Sequence, residues 1–238
     1  RLGSFAWRCK MSEQKKINIF YLGFFLCVLC AIATAVMGLV SRATAGPIAA
    51  AKEKKVYNGL KAVLPEFDND LVKTKLVVKG ASGADVEFYI AKKNGKVVGY
   101  AAQAKSGSGY GGNVEGLIGF SPDGKITSYV ISSHNETPGL GTKATNRTET
   151  KTIFNLFAKK TDSKLPANPI LDQYIGHSAA KTDSWKKQPW TLDKNGGEVN
   201  HVTGATISSN AVCEAAWEAA SAFENNKAAI EAAANGGK

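Results

Sequence analysis

Residues 17–40 form a run of 24 positions without a charge, and Phe20, Leu22, Phe24, Phe25, Leu26, Leu29 and Ile32 are spread through it. At about 1.5 Å of rise per residue, a helix of that length crosses a hydrocarbon core of about 30 Å. Ala43, Thr44 and Ala45 resemble a signal-peptide cleavage site, but signal apolar regions run only about 7–15 residues. The pattern therefore predicts an uncleaved membrane anchor.

Beyond the anchor the pattern changes character. Residues 49–64 predict a helix with Val56, Leu60, Val63 and Leu64 on its apolar side, ended by Pro65. Residues 71–78 and 86–91 read as strands. Asn94 and Gly95 are a two-residue hairpin signal leading into a strand over 96–104. A small-residue loop over 106–112 follows, then a strand over 114–120, a turn at Ser121, Pro122, Asp123 and Gly124, and a partner strand over 126–132. A helix is expected over 146–159, with Ile153, Phe154 and Phe157 inward. Residues 160–197 are loop-rich, with Trp185 and Trp190 as packing anchors. Residues 211–224 read as a helix, because Val212, Ala216, Ala219, Ala220 and Phe223 recur at three- and four-residue spacing. Hairpins flanked by helices predict an α+β fold with a largely antiparallel sheet. The organisation expected is a cytoplasmic N-terminal segment (1–16), a transmembrane helix (17–40), a linker and helix (41–65) and an extracytoplasmic domain (66–238). Met11 is the expected natural start, so residues 1–10 are set apart as a tag or extension.

Charge adds an orientation. Of the formal +10, residues 1–40 contribute +4, and the rest is dispersed. Without basic clusters interleaved with aromatics, nucleic-acid binding is not expected. Arg8, Lys10, Lys15 and Lys16 precede the apolar run and Arg42 follows it closely, so the positive-inside rule puts the N-terminus in the cytoplasm and the domain outside. For a bacterial cell this means a single-pass protein of the inner membrane with a periplasmic C-terminal domain. Cys213 alone cannot form a disulfide within the domain. Cys27 and Cys30 carry metal-ligand spacing, but free cysteine in an apolar run serves as a small apolar residue. No metal site is expected.

The candidate chemistry lies in three separated stretches. In the first, Thr203, Gly204, Ala205, Thr206, Ile207, Ser208 and Ser209 precede the last predicted helix. Hydroxyls at a helix start accept hydrogen bonds from unpaired N–H groups, and those N–H groups together with the helix dipole favour a phosphate. Gly204 and Ala205 allow close approach to the backbone. An ordinary capped helix explains the same residues. The second stretch is Gly109, Tyr110, Gly111 and Gly112; no helix is predicted to follow it, so neither a P-loop nor a dinucleotide fingerprint is supported. The third is Glu136, Thr137, Pro138, Gly139, Leu140 and Gly141, preceded by His134, which also reads as a plain strand-exit loop.

Together, and in this order after an anchor, these stretches resemble the FMN-binding domains of the Rnf complexes and of the Na+-translocating NADH:quinone reductases. His134 and the pair Gly196 and Gly197 are closer to the G-type component of Rnf than to the C-type component of the reductase. The resemblance implies that Thr206 carries FMN through a phosphoester made by a dedicated flavin transferase, which would make the chain a phosphoprotein with covalent flavin. Thr203, Gly204, Ala205, Ser208 and Ser209 would surround the phosphate. Glu136, Thr137, Gly139, Leu140, Gly141 and Tyr110 would line the ring system, with Leu140 against its face. It further implies an electron-carrier component of an ion-translocating complex, with membrane and iron–sulfur subunits as partners and no substrate turnover of its own. The family usually has Asp where this chain has Asn200, a near-isostere that keeps an acceptor oxygen. Two other classes are a cofactor-free extracytoplasmic scaffold and a threonine-nucleophile hydrolase. The hydrolase needs a base near Thr206, and His134, His177 and His201 are the histidines available.

Overall fold

The computed structural model describes residues 19–71, 74–147, 165–180 and 185–236. The chain divides into two units, Arg1–Lys52 and Glu53–Lys238. The described part of the first is helical throughout. It belongs to α1, Ile19–Val63, whose N-terminal stretch is long and apolar enough to cross a membrane and contains no buried residue. The separate helix expected over 49–64 is the C-terminal part of α1, which continues through Pro47. Alanine, the strongest helix former, is dense on both sides of that proline, at Ala43, Ala45, Ala49, Ala50 and Ala51, which opposes a break there. Pro65, just past the last turn, stops the helix.

The second unit is built on one five-stranded antiparallel meander in the order β1-β2-β3-β4-β5. Its strands are β1 (Lys75–Lys79), β2 (Asp85–Lys93), β3 (Lys96–Gly109), β4 (Gly112–Phe120) and β5 (Ile126–Ser133). The β2–β3 hairpin turns at Asn94 and Gly95, which take φ of 52° and 75° between the paired Lys93 and Lys96. Both central residues have positive φ, as a type I′ turn requires. At the β4–β5 turn the Gly124 N–H donates to the Ser121 carbonyl, 2.9 Å. The expected loop over 106–112 is mostly strand. β3 runs on to Gly109, which pairs with Gly112, and only Tyr110 and Gly111 turn the chain. Small residues there read as loop in the sequence, yet a long neighbouring strand gives their backbone a ladder to join.

Helices cover both faces of the sheet. α4 (Thr206–Asn225) lies on one, followed by α5 (Lys227–Gly236). Val212, Ala216, Ala219, Ala220 and Phe223 are all essentially inaccessible and pack with Phe88, Ile90, Tyr100, Ile118 and Phe120. Phe223 stacks on Phe120, centroids 5.0 Å apart; truncating such a ring to Ala costs about 3–5 kcal/mol. On the other face Leu60, Val63 and Leu64 pack with Tyr89, Ala91, Ala101 and Leu117. Neighbours along β2 and β3 thus serve opposite cores, as a period of two dictates. Trp190 is buried and Trp185 packs against the same core, as anchors for the segment that carries them. Among the described residues, two short helices follow β5, α2 (Thr142–Thr145) and α3 (Pro169–Asp172). The helix expected over 146–159 lies outside the described residues beyond Arg147.

Candidate functional site

Antiparallel order puts the β3–β4 hairpin tip and the exit of β5 at the same end of the sheet, and α4 begins there. A cleft of about 490 Å³ opens between them, lined by Tyr110, Glu136, Thr137, Leu140, Gly141, Lys194, Gly204, Ala205, Thr206, Ile207 and Ser208. Three stretches recognised separately along the chain therefore share one cavity. Its volume is within the range of small-molecule and cofactor sites, roughly 300–1,000 Å³.

α4 starts five residues earlier than its apolar period indicates. Thr206 is its first residue, after Ala205, and Gly204 makes the approach with φ of 83°. The start is uncapped by side chains. The Ala205 N–H is spent on Val202 O and that of Ser209 on Ala205 O, both 2.9 Å. The N–H groups of Thr206, Ile207 and Ser208 in between have no protein partner among the described residues, and neither has the Thr206 hydroxyl. A 20-residue helix thus presents three free donors and its positive end beside a free hydroxyl, the arrangement that holds an anion.

The neighbouring serines have other work. Ser209 Oγ donates to Ala205 O and accepts from the Val202 N–H, both at 3.0 Å, which locks the entry to α4. Ser208 Oγ donates to Glu136 Oε2. The other oxygen of Glu136 accepts the Gly111 N–H at 3.2 Å, and the side chain is only 5% exposed. Glu136 therefore lines the cleft while tying the hairpin tip to α4. Its own N–H donates to His134 Nδ1 at 3.2 Å, so the proton of a neutral His134 sits on Nε2, facing Asn146 Oδ1. A Cβ on Gly141 would come within 2.6 Å of both Glu136 Oε2 and Ser208 Oγ. On Gly111 it would lie 1.9 Å from the Asn135 carbonyl oxygen. The tight packing at Gly141 is thus against Glu136 and Ser208.

The rim is apolar and accessible. Tyr110 is 71% exposed, Leu140 50% and Ile207 52%. These are among the few large apolar or aromatic side chains that the domain leaves exposed, and all three line this cleft. Apolar surface clustered beside anion donors suits an amphipathic ligand that carries an anionic group. Of the residues expected to form the site, Thr203 and Gly139 are exposed and outside the cleft lining, and Ser209 is buried behind it. Gly139 instead shapes the loop, its N–H donating to Thr142 Oγ1 at 2.8 Å.

Two lining residues were not foreseen. Ile207 is readable only once α4 is known to start at Thr206. Lys194 comes from a 3-10 turn, Asp193–Asn195. That turn is held by the bridge between Leu192 and Val199 and by the Asp193 N–H to Val199 O, 2.8 Å. His201 beside Asp193 draws its carboxyl below the usual range. No local signal marks Lys194 among 30 lysines and arginines. Asn200 joins Gln173 through its backbone, N–H to Oε1 at 2.8 Å and carbonyl from Nε2 at 3.0 Å. Among the described residues that line the cleft there is no histidine.

Comparisons with known proteins place the chain in a family. Residues 109–221 match the model of the FMN-binding domain, a span that takes in all three stretches. The G component of the Na(+)-translocating ferredoxin:NAD(+) oxidoreductase complex of Acetobacterium woodii is 34% identical, over 85% of this chain and 92% of that protein. The G component of the ion-translocating oxidoreductase complex of Shewanella baltica is 29% identical, over 87% and 91%. Its Haemophilus influenzae counterpart is 25% identical, over 87% and 89%.

Proposed function

The chain belongs to the family of G components of ion-translocating oxidoreductase complexes, and on that premise we propose that it holds FMN covalently, through a phosphoester to the Thr206 hydroxyl. The protein is an electron-transfer subunit with an FMN-binding domain and one membrane-spanning helix among its described residues. The observation that carries the covalent reading is the start of α4: a free hydroxyl on Thr206 beside three unpartnered N–H groups in an apolar-rimmed cleft.

The residues suit FMN. The N–H groups of Thr206, Ile207 and Ser208 would take the phosphate oxygens, and Leu140, Ile207 and Tyr110 would cover the ring and limit its contact with water. FMN when bound supplies transfer of electrons one or two at a time. The protein's part is to tether, orient and shield. Backbone donors fixed at the head of a 20-residue helix need no reorganisation to stabilise the phosphate charge.

The relatives and the charge pattern support the following setting. The domain would lie outside the cytoplasmic membrane, with Arg8, Lys10, Lys15 and Lys16 inside. Its partners would be the membrane and iron–sulfur subunits of an Rnf-type complex that couples ferredoxin and NAD to ion translocation, and a flavin transferase during maturation. A tethered flavin is not lost to the surrounding medium.

The test is coexpression of the full chain with a flavin transferase, followed by denaturation, in-gel fluorescence and peptide mass analysis. Flavin should remain on the peptide containing Thr206. Thr206→Val should fold without covalent flavin, and Thr203→Ala should retain it. Flavin on any other peptide, or a colourless wild-type protein, would sink the assignment; the colourless result is what a cofactor-free scaffold would give.

A further inference from the structure

We infer that Lys194 is a phosphate-binding residue of this site, its ammonium pairing with the flavin phosphate on Thr206; the inference rests on the reading of Thr206 as the tether. Lys194 is the cationic side chain in the cleft lining, and its Nζ has no partner among the described residues. The turn that carries it is fixed. The Lys194 N–H donates to Asp193 Oδ1 at 2.7 Å, and the Gly196 and Gly197 N–H groups close onto Asp193 O and Leu192 O at 3.0 and 2.9 Å.

The charge balance of the cleft calls for such a residue. A helix start is worth about half a positive charge. Here that half charge already faces one anion, because Glu136 lines the cleft and accepts from Ser208 within the first turn of α4. A phosphodiester on Thr206 brings a second negative charge to the same place. Free N–H groups give it hydrogen bonds but no full countercharge. Among the described residues that line the cleft, only Lys194 has one to give. Asp193, its neighbour, is turned to His201.

A lysine at the cleft mouth acts as a point charge on a flexible stem, so its effect should be screened by salt, with a Debye length of about 10 Å at 0.1 M. The experiment is phosphorus NMR of the flavinylated full chain and its Lys194→Gln and Lys194→Arg variants, at low and high salt. In the wild type the phosphodiester resonance should be displaced from its position in the denatured protein and should move back as salt rises. Lys194→Gln should start nearer the denatured position and respond little to salt. Lys194→Arg should keep the displacement. Loss of flavin attachment in a folded Lys194→Gln protein, with attachment kept in Lys194→Arg, supports the same role. A Lys194→Gln resonance identical to wild type at both salt concentrations, or an Arg variant that behaves like Gln, overturns it. If the wild type has no phosphorus resonance on the Thr206 peptide, the tether itself is wrong. A tether indifferent to Lys194 sinks this inference alone.

Discussion

The hydroxyl of Ser208, in the first turn of α4, donates to the buried carboxylate of Glu136, 72 residues earlier in the chain. The other carboxylate oxygen takes the Gly111 N–H from the β3–β4 hairpin. One side chain thus fastens together the three stretches that form the cleft. It also sits at the positive end of a helix, where a carboxylate is stabilised.

Removal of this knot should be costly. Glu136→Ala leaves the Gly111 N–H and the Ser208 hydroxyl without an acceptor, at about 1–3 kcal/mol for each group that stays buried. Glu136→Gln keeps one acceptor oxygen and should lose less. Thermal unfolding of the full chain in detergent should rank wild type above Gln and Gln above Ala. In a double-mutant cycle, Glu136→Ala and Ser208→Ala should be non-additive, since they delete the same contact. Additive losses would mean that the two side chains act independently.

Gly141 should resist any side chain. The Cβ of Gly141→Ala would come within 2.6 Å of Glu136 Oε2 and Ser208 Oγ, so the pair must part. Overpacking of this kind costs about 1–3 kcal/mol. Covalent flavin should remain, because Thr206 keeps its hydroxyl, but the visible spectrum and reduction potential should change as the Leu140 loop shifts. Flavin content after denaturation and a redox titration of the native protein check this. An unaltered potential and melting temperature would show that the loop neither packs as described nor touches the ring.

Cys213 makes stability fall in alkali. Burial against the sheet pushes its thiol up to about 11, above its value in an unfolded chain. The folded state therefore holds the proton longer. The stabilisation is fully present below the unfolded value and is lost as pH rises through the folded one. From about pH 9 to 11 the loss is roughly 2–3 kcal/mol. Denaturant titrations across that range should show a steeper decline for wild type than for Cys213→Ala. Equal slopes would refute the protonation difference.

The orientation of the domain is open to a direct assay. Protease added to intact spheroplasts should digest the chain beyond Arg42 and leave the anchor with the membrane. Protection in spheroplasts, with digestion only in inverted vesicles, would put the domain on the cytoplasmic side and reverse the reading of Arg8, Lys10, Lys15 and Lys16.

What the sequence determined by itself is what depends on near neighbours along the chain. Asn94 and Gly95 specify their hairpin because both must take positive φ. Val212, Ala216, Ala219, Ala220 and Phe223 specify the buried face of α4 because 3.6-residue periodicity places them together. The apolar run specifies a membrane-length helix. Tertiary structure decided the rest. Only the meander brings Gly111, Glu136 and Ser208 to one end of the sheet, and only then does the Ser208 hydroxyl turn from a helix cap into a donor to Glu136. Lys194 is one lysine among many until the turn at Asp193–Asn195 sets it in the cleft lining. Local periodicity carries the information for an element and its buried face, whereas the partner of a polar side chain is set by which distant backbone the packed core brings within hydrogen-bond reach.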